Sequence, residues 1–248
     1  MTNQAYGQFC GFARALEVVG EPWALIVVRD LLTGPKNFSD LRHGLPRVPA
    51  GMLSDRLEEL EQAGVVGHRP LSSPDTDAVY ELTPYGRELD SIVLELGRWG
   101  AKKLGGPRPD EIITPASMVT ALRTTFRPDA ARGLAMTYLF HLGPITLHAR
   151  ITDGHADIAP GPVDDPDLII EAGPAIKALM AGEMSPREAL ETGGVRLTGD
   201  PGLLEWFTEL FHIPPAPPAR PATMPVSAPA TTPATTPGAT PSQITTNA

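Results

Sequence analysis

The chain has 248 residues, of which 42% are hydrophobic and 20% are charged, and its formal net charge is −9. This length and apolar content suit one or two domains with a buried core, and the acidic balance excludes a protein that coats nucleic acid through overall positive charge. No run of about 18 apolar residues indicates a transmembrane helix or a membrane partner, no secretory leader is visible, and the single cysteine fits a cytoplasmic protein.

The first part of the chain predicts a series of short helices. Apolar residues at helical spacing define a first helix over residues 13–19. Pro22 suits the first position of a second helix, which is almost wholly apolar over residues 23–32 and is therefore expected in the core. Asn37 or Ser39 can cap a short third helix.

A fourth helix and a hairpin are predicted next. The helix covers residues 49–63 with leucines on one face, and Gly64 is placed for a left-handed cap. Strand-like residues 65–66 and 79–82 flank a polar loop, which predicts a hairpin. A Thr-Pro pair after the second strand begins a last long helix with an apolar stripe.

Helix, turn, helix and hairpin in this order are the layout of a winged helix-turn-helix, whose second helix enters the major groove of DNA. Residues 1–105 carry 11 basic and 14 acidic side chains, whereas residues 106–213 carry 8 and 15, so the first half is better suited to a polyanion. A protein-interaction module of the same pattern remains an alternative. The candidate DNA contacts are Lys36, Ser39, Arg42, Arg47, Gly51, Ser54, Asp55 and Arg56 around the two helices, and Arg69, Ser72 and Ser73 on the hairpin.

Several segments between residues 10 and 104 carry a family resemblance. They read CGFARAL at 10–16, PWAL at 22–25, RDLLTGP at 29–35, FSDL at 38–41, LSDRLEEL at 53–60 and YELTPYG at 80–86. In this order and spacing they resemble the HxlR-type winged-helix regulators. The resemblance implies a dimeric bacterial transcription regulator, and a dimer of this fold implies a pseudo-palindromic DNA site.

The same resemblance implies that the first and last helices form the dimer interface. Two positions depart from the family pattern: Pro49 stands where a Ser-type cap is usual, and Asp55 places a carboxylate near the groove, where it can accept from cytosine N4 but repels phosphate. The residues carried over to the interface are Ala13, Leu16, Ile92, Leu96 and Trp99.

Cys10 has two interpretations. Some HxlR-type proteins are similar in carrying a redox-sensing thiol at this position. A sensing thiol needs a lowered pKa and access, and the neighbours of Cys10 supply neither a charge nor a resolving cysteine. These neighbours favour a small buried residue, while an intersubunit disulfide stays open as an alternative.

The second half predicts a small α/β domain after a Gly/Pro cluster near residues 105–109. A helix over 114–126 precedes four strand candidates joined by turn signals, which predict an antiparallel meander. The strands are 135–142, 145–151, 156–159 and 168–171, and they are followed by helices that open at Pro174 and Ser185, a strand over 195–197 and a helix from Pro201.

Residues 110–212 resemble the sterol-carrier-protein type 2 fold. The resemblance is carried by DG at 153–154, DLII at 167–170, ALMAG at 178–182, AL at 189–190 and VRLTGD at 195–200. It implies an apolar tunnel and a hydrophobic small-molecule effector. The candidate pocket residues are Met118, Phe140, Met180, Trp206 and Phe207, and the alternative is that they only fill a core.

The overall expectation is an α+β protein that is not an enzyme and needs no cofactor or metal. No phosphate-binding loop, dinucleotide fingerprint or nucleophile elbow is present. The expected organisation is a DNA-binding domain at 10–105, a ligand-binding domain at 110–212 and a disordered Pro/Thr/Ala-rich tail at 214–248. The competing class is an apolar-ligand carrier or interaction protein whose N-terminal unit only dimerises.

Overall fold

The computed structural model describes residues 5–69, 78–108 and 110–215. Two hydrophobic cores are present, one built by residues 19–93 and the other by residues 119–213. We call the corresponding segments the helical part and the α/β part. Most of the predicted tail, from residue 216 onward, and the predicted DNA contacts Ser72 and Ser73 lie outside the described residues.

The helical part has the predicted order of elements and forms a winged helix-turn-helix. Its small sheet has the strand order β1-β3-β2, with both pairs antiparallel. The helices are α1 (Gly11–Val19), α2 (Ala24–Leu31), α3 (Phe38–Gly44), α4 (Ala50–Gln62), α5 (Pro84–Arg87) and α6 (Leu89–Ala101), and the strands are β1 (Lys36–Asn37), β2 (Val66–Arg69) and β3 (Val79–Leu82).

Local sequence chemistry explains most of these boundaries. The Asn37 side chain accepts from the Asp40 N–H while the Asp40 carboxylate accepts from the Asn37 N–H, so α3 begins with a complete capping box. Gly64 follows α4 at a φ of 71°, as its predicted cap requires. The helix predicted to open at Pro22 begins instead at Ala24, because Trp23 has a left-handed φ of 76°. The single last helix is two consecutive helices, α5 and α6.

The core of the helical part joins α2 to α4. Val27 and Val28 of α2 are fully buried, as the almost wholly apolar pattern predicted. Leu53, Leu57 and Leu60 form the buried face of α4. Helix α4 is therefore anchored by one leucine stripe, and its other faces are left to the surface.

The α/β part is a five-stranded sheet covered by helices, with strand order β6-β5-β4-β7-β8. The first three strands form the predicted antiparallel meander, but the fourth pairs parallel to β4, which corrects the expectation of a continuous meander. With one edge of β4 occupied by β5, the new strand pairs at the other edge. The elements are α7 (Pro115–Thr125), β4 (Ala135–Leu142), β5 (Ile145–Thr152), β6 (His155–Pro160), β7 (Leu168–Ala172), α8 (Ala175–Met180), α9 (Pro186–Glu191), β8 (Val195–Gly199) and α10 (Gly202–Leu210).

The two parts meet where α7 packs on α6. A Cβ added at Gly97 of α6 would lie 2.5 Å from the Thr124 methyl carbon, so the helices approach closely at a position where only glycine fits. Arg98 Nε donates to the Thr124 carbonyl over 3.2 Å. Among the described residues, no helix is both long and apolar enough to cross a bilayer.

Candidate nucleic-acid interface

The start of α4 is the centre of the candidate interface. Residues 45–49 form the turn between α3 and α4, and Leu45 and Val48 anchor it in the core. Pro49 has an extended conformation and offers no capping side chain, so backbone N–H groups of the first turn of α4 remain available to an external acceptor such as a phosphate. The exposed side chains that follow are those of Ser54 and Asp55, with the exposed Gly51 leaving space beside them.

Basic side chains surround this turn on neighbouring elements. Arg42 is exposed near the end of α3, and Ser39 is exposed on the first turn of the same helix. Lys36 on β1 is half-buried. Arg69, at the base of the wing, is exposed and forms a 3.2 Å ion pair with Glu81 across the hairpin. The strand that carries Arg69, β2, contacts α4, and the strand that carries Lys36, β1, contacts α3.

Arg47 has a partner that sequence reasoning did not anticipate. Its Nη2 lies 2.5 Å from Oδ2 of Asp110 and also donates to the Asp110 carbonyl over 3.1 Å. Both side chains are more than half exposed, and the guanidinium lowers the pKa of the Asp110 carboxyl. The pair bridges 63 residues of sequence, so no local pattern indicated it. The segment between the two parts thus returns to the turn that precedes α4.

Arg56 is buried, which corrects its assignment as a DNA contact. Only 4% of this residue is exposed. Position 56 lies three residues after Leu53 and four before Leu60, so helical spacing puts it on the buried leucine face. This spacing was visible in the sequence and predicts the burial. The exposed side chains of α4 therefore include no arginine or lysine.

An exposed apolar face runs along α6. Ile92, Leu96 and Trp99 project from it, and Trp99 is 75% exposed. Leu16 is half-buried, and Ala13 is buried by its own chain, so Ala13 cannot supply surface to a partner as predicted. Sequence reasoning missed two further exposed aromatic residues, Phe9 just before α1 and Phe12 in its first turn, because the predicted stripe began only at Ala13.

Cys10 is exposed, which corrects the expectation of a buried residue. It occupies the N-cap position of α1. The backbone N–H groups of Ala13 and Phe12 lower the pKa of the Cys10 thiol because they stabilise the thiolate. The helix terminus thus supplies the favourable environment that the neighbouring side chains lack.

The five residues assigned to a ligand pocket differ in their burial and surroundings. Phe140 and Phe207 are fully buried, with ring centroids 5.6 Å apart, and Tyr138 and Phe211 complete the same aromatic cluster. Trp206, one position from Phe207 on α10, is 43% exposed. The remaining two assigned residues, Met118 and Met180, are part of the packing of this core. Phe140, Phe207 and Met180 are therefore packed within a core, whereas Trp206 lies at the surface.

The helical part matches a family of known proteins. Residues 18–106 match the family model described as HxlR-like helix-turn-helix. The uncharacterized HTH-type transcriptional regulator Rv3095 of Mycobacterium tuberculosis is 38% identical over 97 residues, which are 39% of this chain and 60% of that protein. YkvN of Bacillus subtilis, named in the same way, is 35% identical over 91 residues, which are 37% of this chain and 77% of that protein.

A solved structure also aligns with this region. The reduced form of the transcriptional regulator YodB from B. subtilis is 27% identical, covers 40% of this chain and 97% of its own, and superposes with a TM-score of 0.35. The mycobacterial relative is matched over 60% of its own length. These relatives carry the names of regulators and not of enzymes.

Proposed function

This chain belongs to the HxlR-like helix-turn-helix family, and we propose that it regulates transcription by binding double-stranded DNA as a homodimer. The observation that carries the proposal is the exposed first turn of α4, which has free backbone donors and basic side chains on the elements around it. This arrangement suits insertion of α4 into the major groove, with phosphates contacted on either side.

The residues divide into two proposed roles. The residues proposed to contact phosphates are Lys36, Arg42, Arg47 and Arg69, together with Ser39, Ser72 and Ser73. Gly51, Ser54 and Asp55 are proposed to face base edges. Because the exposed surface of α4 carries no arginine or lysine, the helix cannot make the bidentate contact that guanine usually receives. We expect Asp55 to accept from an amino group, such as cytosine N4.

The α6 face supports the proposal of a homodimer. An exposed tryptophan with two aliphatic neighbours at helical spacing is the kind of apolar patch that a partner covers. Ile92, Leu96 and Trp99 are proposed to pair with the same residues of a second copy, with Leu16 at the edge. A two-fold axis at this face would present two α4 helices about 34 Å apart, matching half-sites of a pseudo-palindrome.

A binding experiment tests the DNA proposal. Fragments are selected from a random duplex pool with the full chain, and the affinity is measured across a salt series. Arg42→Ala should reduce the slope of log K against log salt by about 0.9, because one phosphate contact is lost. Arg187→Ala, an exposed arginine on α9, is the matched control and should leave the slope unchanged.

Asp55→Asn provides a separate test of base readout. The amide should shift the preference at one position from cytosine towards adenine, because asparagine pairs with adenine N6 and N7. Failure of the wild-type chain to enrich any sequence, or equal slopes for the two arginine variants, would refute the DNA proposal.

The α/β part is proposed to modulate DNA binding. Its helix α7 packs on α6, the same helix that carries the exposed apolar face, so a change in this docking would alter the dimer. The resemblance to sterol-carrier domains suggests an apolar small molecule as effector, which would have to displace part of the aromatic cluster at Phe140 and Phe207 to bind. Native mass spectrometry and thermal shifts of the full chain with a lipid panel test this. A ligand found without any DNA binding would favour the carrier function instead.

Oxidation of Cys10 is a further proposed input. An exposed thiol with a lowered pKa at the start of α1 is accessible to oxidants. An intersubunit disulfide between two Cys10 residues would lock the dimer. Non-reducing electrophoresis after mild oxidation tests this, with Cys10→Ser as the control.

A further inference from the structure

Arg56 links the recognition helix α4 to the turn between α1 and α2. We infer that Arg56 is a positioning residue, which fixes the orientation of α4 and thereby the ability of the protein to discriminate its operator from other DNA. The inference rests on the proposed DNA-binding function, and it assigns Arg56 no contact with DNA. It concerns the specificity of binding and not the overall electrostatic attraction.

The contacts of the guanidinium come from two elements. Its Nη1 forms an ion pair with Glu59, one turn further along α4. Its Nη2 lies 4.0 Å from Oε2 of Glu21, which belongs to the α1–α2 turn. The Arg56 side chain is 5% exposed, whereas the two carboxylates are 37% and 40% exposed, so the charge is buried and its partners reach it from the surface.

The α1–α2 turn is a rigid reference point for this contact. The Gly20 N–H donates to the Leu16 carbonyl over 2.9 Å, which closes the last turn of α1 directly before Glu21. Trp23 adopts a left-handed φ of 76°, which persists only where the surrounding structure holds it. The Ala24 N–H donates to the Glu21 carbonyl over 3.2 Å. The backbone at Glu21 is therefore held by the ends of α1 and α2.

The arginine is an unfavourable choice for stability alone. Its Nε is buried and has no hydrogen-bond partner among the described residues. A buried donor without a partner costs about 1–3 kcal/mol, and a buried ion pair is often no better than an apolar side chain of similar volume. A charge kept at this position, among leucines, is instead suited to fixing one geometry of the helix.

That geometry matters because the proposed base contacts are made by the two residues directly before Arg56 on the helix. Ser54 and Asp55 immediately precede Arg56, and they are exposed while Arg56 is buried. Hydrogen bonds to base edges need donor–acceptor distances of about 2.7–3.2 Å, so a small rotation of α4 breaks them. Phosphate attraction from neighbouring elements would be much less affected.

The test compares Arg56→Met with Arg56→Lys in the full chain. Met removes the charge and keeps an unbranched side chain, whereas Lys keeps the charge and can still reach a carboxylate. We expect Arg56→Met to lower the ratio of operator to random-DNA affinity by about fivefold or more, the size of one lost base contact, with an unchanged salt slope. Arg56→Lys should restore part of the ratio.

A double-mutant cycle with Glu21→Gln assigns the effect to the proposed contact. Glu21→Gln should lower the same ratio, and combining it with Arg56→Met should add little, because both changes remove one interaction. Glu58→Gln, an exposed carboxylate on the same helix, is the matched control for loss of a negative charge.

Three outcomes would overturn the inference. A salt slope reduced by about 0.9 in Arg56→Met would mean that Arg56 contacts phosphate. An unchanged affinity ratio with a lower free energy of unfolding would mean a purely structural role. If the wild-type chain binds no DNA selectively, the proposed function fails by itself, and amide hydrogen exchange then tests whether Arg56 positions α4. Arg56→Met must accelerate exchange in α4 and the α1–α2 turn but not in α7. Exchange equal to that of the wild-type chain would refute the positioning role.

Discussion

Arg123 holds both carboxylate oxygens of Asp90, with its Nη1 and Nη2 donating over 2.8 and 2.7 Å. The pair joins α7 of the α/β part to α6 of the helical part, and both side chains are about two-thirds buried. Asp90 lies on α6, the helix that also carries the exposed apolar face at Trp99. The α/β part is thus attached to the helix proposed to form the dimer.

Removing this pair should weaken the junction between the two parts. Arg123→Met is expected to lower the free energy of unfolding by about 1–2 kcal/mol, because a bidentate, partly buried ion pair leaves Asp90 without its partner. Arg132→Met, which removes an exposed pair with Asp129, is the control and should change stability by less than about 0.5 kcal/mol. Urea unfolding measures both, and equal losses would contradict the assignment.

The close approach at Gly97 gives a second test of the junction. Gly97→Ala should destabilise by about 1–2 kcal/mol, even though alanine favours helices, because its methyl group collides with Thr124. Thr124 cannot easily rotate away, since its hydroxyl donates to carbonyls within α7. Gly100→Ala on the same helix meets no atom and should stabilise by up to about 1 kcal/mol. Thermal unfolding of the two variants should therefore shift in opposite directions.

The pair between Arg47 and Asp110 competes with DNA if Arg47 contacts phosphate. Asp110→Asn should then raise DNA affinity by up to about fivefold, since an exposed pair contributes at most about 1 kcal/mol. The salt slope should also steepen by about 0.9. Glu111→Gln removes the same charge one residue away and should have a smaller effect. If Asp110→Asn no longer changes DNA affinity when Arg47 is also replaced by alanine, the competition is confirmed. If the affinity still rises in that double variant, the competition is refuted.

The apolar face of α6 should determine the oligomeric state. Trp99→Ser is expected to raise the dimer dissociation constant by about thirtyfold or more, because a buried tryptophan at an interface typically contributes at least about 2 kcal/mol. Trp206→Ser, another exposed tryptophan, is the matched control and should leave the dimer unchanged. Sedimentation velocity distinguishes them, and a stable dimer in Trp99→Ser would move the interface elsewhere.

The reactivity of Cys10 should follow its lowered pKa. Because backbone N–H groups stabilise the thiolate, the midpoint of the pH profile for alkylation should be lower in the folded protein than in the urea-unfolded chain. Iodoacetamide labelling followed by mass spectrometry measures both profiles. A range of about pH 6–10 is used because it brackets the ordinary thiol pKa of about 8.5. A midpoint equal to or above that of the unfolded chain would contradict the environment described for Cys10.

The sequence alone determined the elements whose causes are local. The capping chemistry of Asn37, the left-handed cap at Gly64 and the leucine spacing of α4 predicted helix boundaries because each depends on residues within a few positions. The same leucine spacing also predicts that Arg56 is buried, although its positive charge suggested a DNA contact. The order of helices and hairpin was therefore enough to predict a winged helix-turn-helix.

Only the tertiary structure decided which distant residues meet. The parallel pairing of β7 with β4, the aromatic cluster around Phe140 and the contact of Arg47 with Asp110 join residues that no local pattern relates. Exposure of Cys10 is a further example, since a side chain is buried only if another part of the chain covers it. Periodicity specifies which face of an element is apolar, whereas packing between elements specifies what that face contacts.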